Sequence, residues 1–345
     1  MARVRTLIVD DSASMRAALN RILGADPEIE VVGLAPEPHA ARAMIKELNP
    51  DVLTLDIEMP GMDGLSFLER IMRLRPMPVV MCSTLTARGA EATIEALRLG
   101  AVDCIAKPSG NALEIARVGE NLCAMVKAAA RSSVRAASTV APAPSVSAGP
   151  SRDMVIAIGA STGGVEALFA VLSRLPVDCP PVLVVQHMPA AFTGSFAARL
   201  DRECAVHVVE AVDGTPIARG TVYIAPGGER HMELAGGDAG SFGRIKLRRG
   251  DPVTGHRPSV DVLFRSVAAL GASAVGAILT GMGADGAQGL LAMRDAGART
   301  FGQSKDSCVV YGMPRAAYEL GSVEREVGLS AMPEAILGAC RKPIS

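Results

Sequence analysis

Between Ala128 and Arg152 the chain reads AAARSSVRAASTVAPAPSVSAGPSR, and no other feature limits its folding as much. The stretch has neither helical nor strand periodicity and is filled with Ala, Ser, Pro and Val, the composition of a tether. A chain of 345 residues already exceeds what one hydrophobic core usually holds. Two units are therefore expected, over residues 1–127 and 152–345, with residues 128–151 as linker. The prolines favour an extended, semi-stiff path, which serves equally as a plain spacer or as a regulatory hinge.

Each half can bury a core, since 49% of the residues are hydrophobic, and this excludes a disordered or fibrous chain. The 35 Lys+Arg nearly balance 36 Asp+Glu, and the residues beyond Ser151 carry equal numbers of each sign. Neither nucleic acid nor an anionic lipid surface is expected as a partner. The dense basic group Arg244, Lys246, Arg248 and Arg249 alternates with Ile245 and Leu247 and reads as the solvated face of a strand. The seven Cys lack CxxC spacing, so neither a disulfide framework nor a zinc site is suggested. A cytoplasmic protein is expected, because no apolar run is long enough for a signal segment or a membrane span.

In the first unit, apolar runs at Thr6–Val9, Val52–Leu55 and Val79–Cys82 are separated by helix-like stretches at Ser14–Leu23 and Ala40–Leu48, an α/β pattern. Function in such sheets collects at the carboxyl ends of the strands. There the sequence puts Asp10 and Asp11 after the first run and Asp56 after the second. Three converging carboxylates repel one another unless a cation sits among them, and oxygen ligands suit Mg²⁺. Ser83 follows the third run, and Lys107 follows Val102–Ala106. A hydroxyl and an ammonium are the partners that a phosphoryl group on a carboxylate needs. Together with MPGMDG (59–64), these residues resemble the receiver domain of response regulators, from about Val4 to Val126. The resemblance implies a doubly wound, flavodoxin-like domain in which Asp56 accepts a phosphoryl group from a histidine kinase. It also implies that Asp10, Asp11, Asp56 and the carbonyl of Glu58 hold Mg²⁺, with Ser83 and Lys107 sensing the modification.

Past the linker, Met154–Ile158 runs into Gly159-Ala160-Ser161-Thr162-Gly163 and then into a helix starting near Val165. The spacing G-x-S-x-G places a serine on a tight strand-to-helix turn. By itself the turn fits equally a phosphate cradle, or a plain helix cap at Ser161. A nucleophilic serine needs a base and an orienting acid nearby. The strand-like run Pro181–Gln186 ends at His187, and Ala274–Thr280 leads to Asp285. Of the five histidines, His39 lies in the first unit, His207 alternates like a strand-face residue, and His231 and His256 sit in loop-like segments. That leaves His187 as the candidate base.

The order Ser161, His187, Asp285 is not that of α/β-hydrolases. With GASTGG (159–164), QHMP (186–189), YIAPG (223–227), RPSVDVLFRS (257–266) and LTGMGADGA (279–287) it resembles the catalytic domain of chemotaxis protein-glutamate methylesterases, the CheB family. The order of receiver, linker and this domain extends the resemblance over nearly the whole chain. It implies a parallel-sheet α/β domain that hydrolyses glutamate γ-methyl esters on chemoreceptors, releases methanol, and deamidates receptor glutamines. It further implies activation by phosphorylation from the chemotaxis histidine kinase and no cofactor for the esterase reaction. Ser161 is then the nucleophile, His187 the base and Asp285 the group that holds its tautomer. Thr162 helps to position the histidine, and the Met282 N–H is an oxyanion donor. On this reading Asp285→Asn lowers turnover without unfolding the protein.

Overall fold

The computed structural model describes residues 2–59, 62–84, 86–108, 112–132, 153–236 and 242–341. The chain divides into two compact units, Met1–Thr139 and Val140–Ser345. Residues 133–151 of the expected linker lie outside the described residues, as do Pro60 and Gly61 of the MPGMDG motif. Ala128–Ala130, counted above with the linker, instead complete the helix Ala112–Ala130. Three alanines carry the highest helix propensity of any residue, so a helix already under way continues through them.

The first unit alternates strands β1 (Val4–Val9), β2 (Ile29–Ala35), β3 (Val52–Asp56), β4 (Val79–Ser83) and β5 (Asp103–Ala106) with helices α1 (Ala13–Gly24), α2 (Pro38–Leu48), α3 (Gly64–Leu74), α4 (Ala87–Arg98) and α5 (Ala112–Ala130). The sheet is parallel in the order β2-β1-β3-β4-β5. β3 and β4 are buried at every position, which is why they read as unbroken apolar runs. β2 is an edge strand of mixed exposure carrying Glu30, and it leaves no comparable run. The strand order reverses at β1, so the carboxyl ends of β1 and β3 border the crevice where such folds bind ligands.

The second unit contains β6 (Val155–Ala160), β7 (Val182–Gln186), β8 (His207–Glu210), β9 (Thr221–Ile224), β10 (Arg230–Ala235), β11 (Arg244–Arg249), β12 (Ala274–Ile278), β13 (Arg299–Gln303) and β14 (Arg325–Val327). Its helices are α6 (Gly164–Leu172), α7 (Ala190–Glu203), α8 (Val260–Ala268), α9 (Ala287–Asp295), α10 (Met313–Glu319) and α11 (Met332–Cys340). Seven strands form one parallel sheet in the order β14-β13-β12-β6-β7-β9-β8. β10 and β11 pair separately as an antiparallel ribbon. Along β11, Arg244, Lys246, Arg248 and Arg249 are exposed while Ile245 is buried, as the alternation predicted.

α8 shows how this sheet is covered. Val260, Leu263, Phe264 and Val267 recur at helical spacing and are fully buried, in one cluster with Val155, Ala157, Leu183 and Val185 of β6 and β7. Each large apolar side chain buried this way contributes about 1.5–3 kcal/mol. The approach is close: a Cβ on Gly159 would lie 2.2 Å from Val260 Cγ1. The N-terminus of α8 is thereby pressed against the carboxyl end of β6, where the site is built.

Candidate active site

In the first unit the acidic pocket forms where the sequence places it. Asp10 and Asp56 are buried and Asp11 is exposed, and one oxygen from each lies within 4.8 Å of the others. Arg16 donates to the carbonyls of Asp10 and Asp11 at 2.8 and 2.9 Å and fixes that pair of residues. Lys107 Nζ stands 2.7 Å from Asp56 Oδ2 and 2.9 Å from Asp10 Oδ2. Among the described residues no other partner reaches either of these buried oxygens. Burial raises the pKa of Asp56, and the Asp10 charge adds to this, although Lys107 pulls in the opposite direction. A further cation would therefore be welcome, and the all-oxygen donor set fits Mg²⁺.

Ser83, buried at the end of β4, donates to the carbonyls of Thr84 and Gly89. Glu58 is exposed; its N–H donates to Asp56 Oδ1 at 3.3 Å, and its carboxylate accepts from the Thr84 hydroxyl. Gly64 opens α3 where a Cβ would sit 2.1 Å from the Asp56 carbonyl oxygen, so only glycine lets that helix reach the end of β3.

In the second unit Ser161, His187 and the turn bearing Asp285 follow the adjacent strands β6, β7 and β12. Four hydrogen bonds lock these strand ends together. The Ser161 N–H donates to the Thr280 carbonyl, the His187 N–H donates to the Ala160 carbonyl, and Gln186 Nε2 donates to the carbonyls of Ser161 and His187. Gly163 makes the turn. Its φ of 74° is left-handed, and a Cβ there would lie 2.5 Å from Val309 Cβ, so glycine is required on both counts.

His187 Nε2 lies 2.8 Å from Asp285 Oδ2. A carboxylate can only accept, so Nε2 carries a proton, and in the neutral ring Nδ1 is then the nitrogen that can accept one. Nδ1 is buried without a hydrogen-bond partner among the described residues. The resting structure contains no Ser161–His187 hydrogen bond among those residues, a separation common in substrate-free sites. Asp285 is held much more tightly. It accepts from the Ser259 hydroxyl (2.7 Å), the Val260 N–H (2.7 Å) and the Asp261 N–H (3.1 Å) at the N-terminus of α8. Burial alone would raise its pKa, but His187, Ser259 and these amides hold it well below the usual carboxylate range. Thr162 is buried beside Ser161, with its carbonyl accepting from Thr280 Oγ1 at 3.0 Å. The Met282 N–H, in the exposed Gly-rich turn before Asp285, donates to no described residue and remains available.

The sequence reading left three contributors out. Ser259 joins the site through its hydroxyl. His231, set aside as a loop residue, accepts the Ser259 N–H at Nδ1 and donates from Nε2 to the Asp251 carbonyl. His256, also set aside, stacks on His187 with ring centroids 3.7 Å apart and planes 6° from parallel. For Ser259 and His256 the available signal was their position in and just before the motif RPSVDVLFRS (257–266), to which no role had been given; His231, on the strand Arg230–Ala235, left no such signal.

A phosphoacceptor-type pocket in one unit and a serine, histidine and aspartate at neighbouring strand ends in the other define a response regulator with an α/β hydrolase effector. Comparison with known proteins narrows the class. The CheB methylesterase family profile matches residues 156–336, and the response regulator receiver domain profile matches residues 6–118. The chain is 59% identical over 342 residues to protein-glutamate methylesterase/protein-glutamine glutaminase 1 of Caulobacter vibrioides, covering 98% of each. It is 56% identical to the Rhizobium johnstonii protein of the same name, covering 97% of this chain and 96% of that one. The crystal structure of the Thermotoga maritima CheB methylesterase catalytic domain aligns at 35% identity with a TM-score of 0.52, over 54% of this chain and 98% of that domain. The chain belongs to the CheB methylesterase family. Among the described residues no helix is long and apolar enough to cross a membrane.

Proposed function

We propose that the chain is a phosphorylation-activated esterase that hydrolyses glutamate γ-methyl esters on chemoreceptors and deamidates receptor glutamines. The observation that carries this reading is the anchoring of Asp285. A carboxylate that accepts three donors at a helix terminus has one task left, to orient His187, whose Nδ1 has no hydrogen-bond partner among the described residues.

In the reaction, Ser161 Oγ attacks the ester carbonyl carbon as its proton passes to His187 Nδ1, and the resulting imidazolium is stabilised by Asp285 through Nε2. The carbonyl oxygen takes up negative charge facing the Met282 N–H, a role typically worth about 2.7–4 kcal/mol per donor. Collapse expels the methoxy group, which leaves as methanol with the proton from His187. Water then attacks the acyl-serine with the same base, releasing glutamate and restoring Ser161. For a glutamine substrate the leaving group is ammonia. Thr162 supports the orientation of His187 from the turn.

In the first unit Asp56 accepts a phosphoryl group from a chemotaxis histidine kinase. Asp10, Asp11 and Asp56, with the Glu58 carbonyl, would hold Mg²⁺, which neutralises charge during the transfer. Ser83 and Lys107 then contact the modified side chain. The residues after Ala130 and up to 151 act as the tether between a receiver that ends with α5 and an effector over 152–345. The cysteines form no disulfide among the described residues, in agreement with a cytoplasmic location.

The test is methanol release from a methylated receptor, with and without a phosphodonor. Ser161→Ala should lower release by roughly 10⁴-fold or more. Turnover surviving in that variant would leave the second unit as a binding module.

A further inference from the structure

His256 has an unusual position for a loop residue. Its ring lies flat on His187, at 3.7 Å between centroids and 6° between planes, while most aromatic pairs prefer offset or edge-on packing. No hydrogen bond of the ring to a described residue explains this placement. The backbone does: His256 and Val253 exchange N–H···O bonds of 2.9 and 3.0 Å across a two-residue turn in which Thr254 (φ 51°) and Gly255 (φ 83°) are both left-handed. A β-branched threonine in that region is a genuine outlier, and such outliers persist where the surroundings over-determine them. Arg257 then ties the segment down, donating to the carbonyls of Gly228 and Gly250 at 2.8 and 2.7 Å. Within five more positions come the Ser259 hydroxyl and the Val260 and Asp261 amides that grip Asp285. One short segment thus touches both His187 and its acid.

Resting on the reading of Ser161, His187 and Asp285 given above, we propose that His256 is a positioning residue whose ring fixes the plane of His187 so that Nδ1 faces Ser161. A single hydrogen bond at Nε2 fixes one atom of the imidazole and leaves rotation about the side-chain bonds, whereas a stacked ring restrains the plane. The stack must also tolerate the positive charge that His187 gains during turnover. The groups facing His256 are His187 and Asp285, and the Arg257 guanidinium is turned away to its two carbonyls. Burial, with the His187 charge adding to it and Asp285 opposing it, brings the pKa of His256 down to about 4. At neutral pH it therefore presents the face of an uncharged ring, which attracts a cation.

The experiment uses the full chain and methylated receptor with four variants: Ser161→Ala, His256→Ala, His256→Phe and His256→Gln. His256→Ala is expected to lower kcat by about 10- to 100-fold, the scale of a misplaced reacting group, with KM changed less than about threefold. His256→Phe, which keeps a flat face and no hydrogen-bonding nitrogen, should recover most of that loss, and His256→Gln should not. The downfield proton resonance of the His187–Asp285 hydrogen bond should persist in wild type and His256→Phe and broaden in His256→Ala. Wild-type kcat in His256→Ala, or His256→Phe no better than His256→Gln, overturns the proposal. If the alanine variant does not fold, the Phe and Gln pair decides alone. Residual turnover in Ser161→Ala signals failure of the underlying reading instead.

Discussion

The Ser259 hydroxyl donates to Asp285 Oδ1 at 2.7 Å while accepting the Val262 N–H as the cap of α8. The carboxylate hydrogen-bonded to His187 is therefore part of a helix terminus, and its charge serves the fold there.

This changes the expectation for Asp285→Asn. An asparagine offers one acceptor oxygen and two N–H donors to a site where four donors converge. The variant should lose about 1–3 kcal/mol of second-unit stability together with roughly 10³- to 10⁴-fold in turnover. Ser259→Ala should cost about 1–2 kcal/mol and much less activity. Denaturant unfolding and methanol release on the same preparations check both, and an unchanged unfolding midpoint in Asp285→Asn would contradict the capping role.

Lys107 already neutralises part of the first pocket, but one ammonium faces two buried carboxylates. Phosphoryl transfer to Asp56 should therefore require a divalent cation, and EDTA should abolish labelling. Asp56→Asn should remove both the acid-labile label and the rise in methanol release that a phosphodonor produces. Lys107→Gln should still accept label but gain little activity. Label persisting in Asp56→Asn would move the phosphoacceptor elsewhere.

The burial of His256 also predicts a pH dependence. Its pKa of about 4 lies below the ordinary 6.5, so between these values the unfolded chain binds a proton that the folded chain does not. Stability then falls as pH drops from 6.5 towards 4, by at most about 1.4 kcal/mol per pH unit, and this contribution levels off below 4. Asp285, held low in the folded state, adds a loss in the same direction only near and below its ordinary value of 3.8. Comparing urea midpoints at pH 7.5 and 5, wild type should lose more than His256→Phe, and equal losses would place the proton linkage on another group.

Gly163→Ala tests the turn beneath Ser161. A left-handed alanine costs about 1–2 kcal/mol, and the Val309 side chain has to move in addition. The variant should unfold earlier and turn over more slowly while labelling of Asp56 stays normal. A wild-type melting curve would mean that the turn relaxes freely.

Much of this was legible in the sequence because strand-end positions are written locally. Short apolar runs marked where β1, β3, β4, β6 and β7 end: in the first unit Asp10 and Asp56 share Lys107, and in the second Ser161 and His187 stand at the ends of neighbouring strands. The Ala/Ser/Pro stretch marked the division of the chain, although Ala128–Ala130 went to α5 because helix propensity acts through the preceding turns. β2 went unread because a half-exposed edge strand leaves no apolar run.

What only the tertiary structure decided are relationships between segments distant in sequence. His256 lies 69 positions from His187, and Ser259 lies 26 positions from Asp285; neither segment carries a periodicity that points at the other. They meet because Val260, Leu263, Phe264 and Val267 bury α8 against β6 and β7, which carries the helix N-terminus, and the loop before it, onto the strand ends. The sequence determined which candidate side chains stand at the strand ends, since that depends on residue type and local turn geometry. Packing decided which ring nitrogen of His187 is held, what grips Asp285 and what lies on the imidazole face, because these depend on where a buried helix comes to rest.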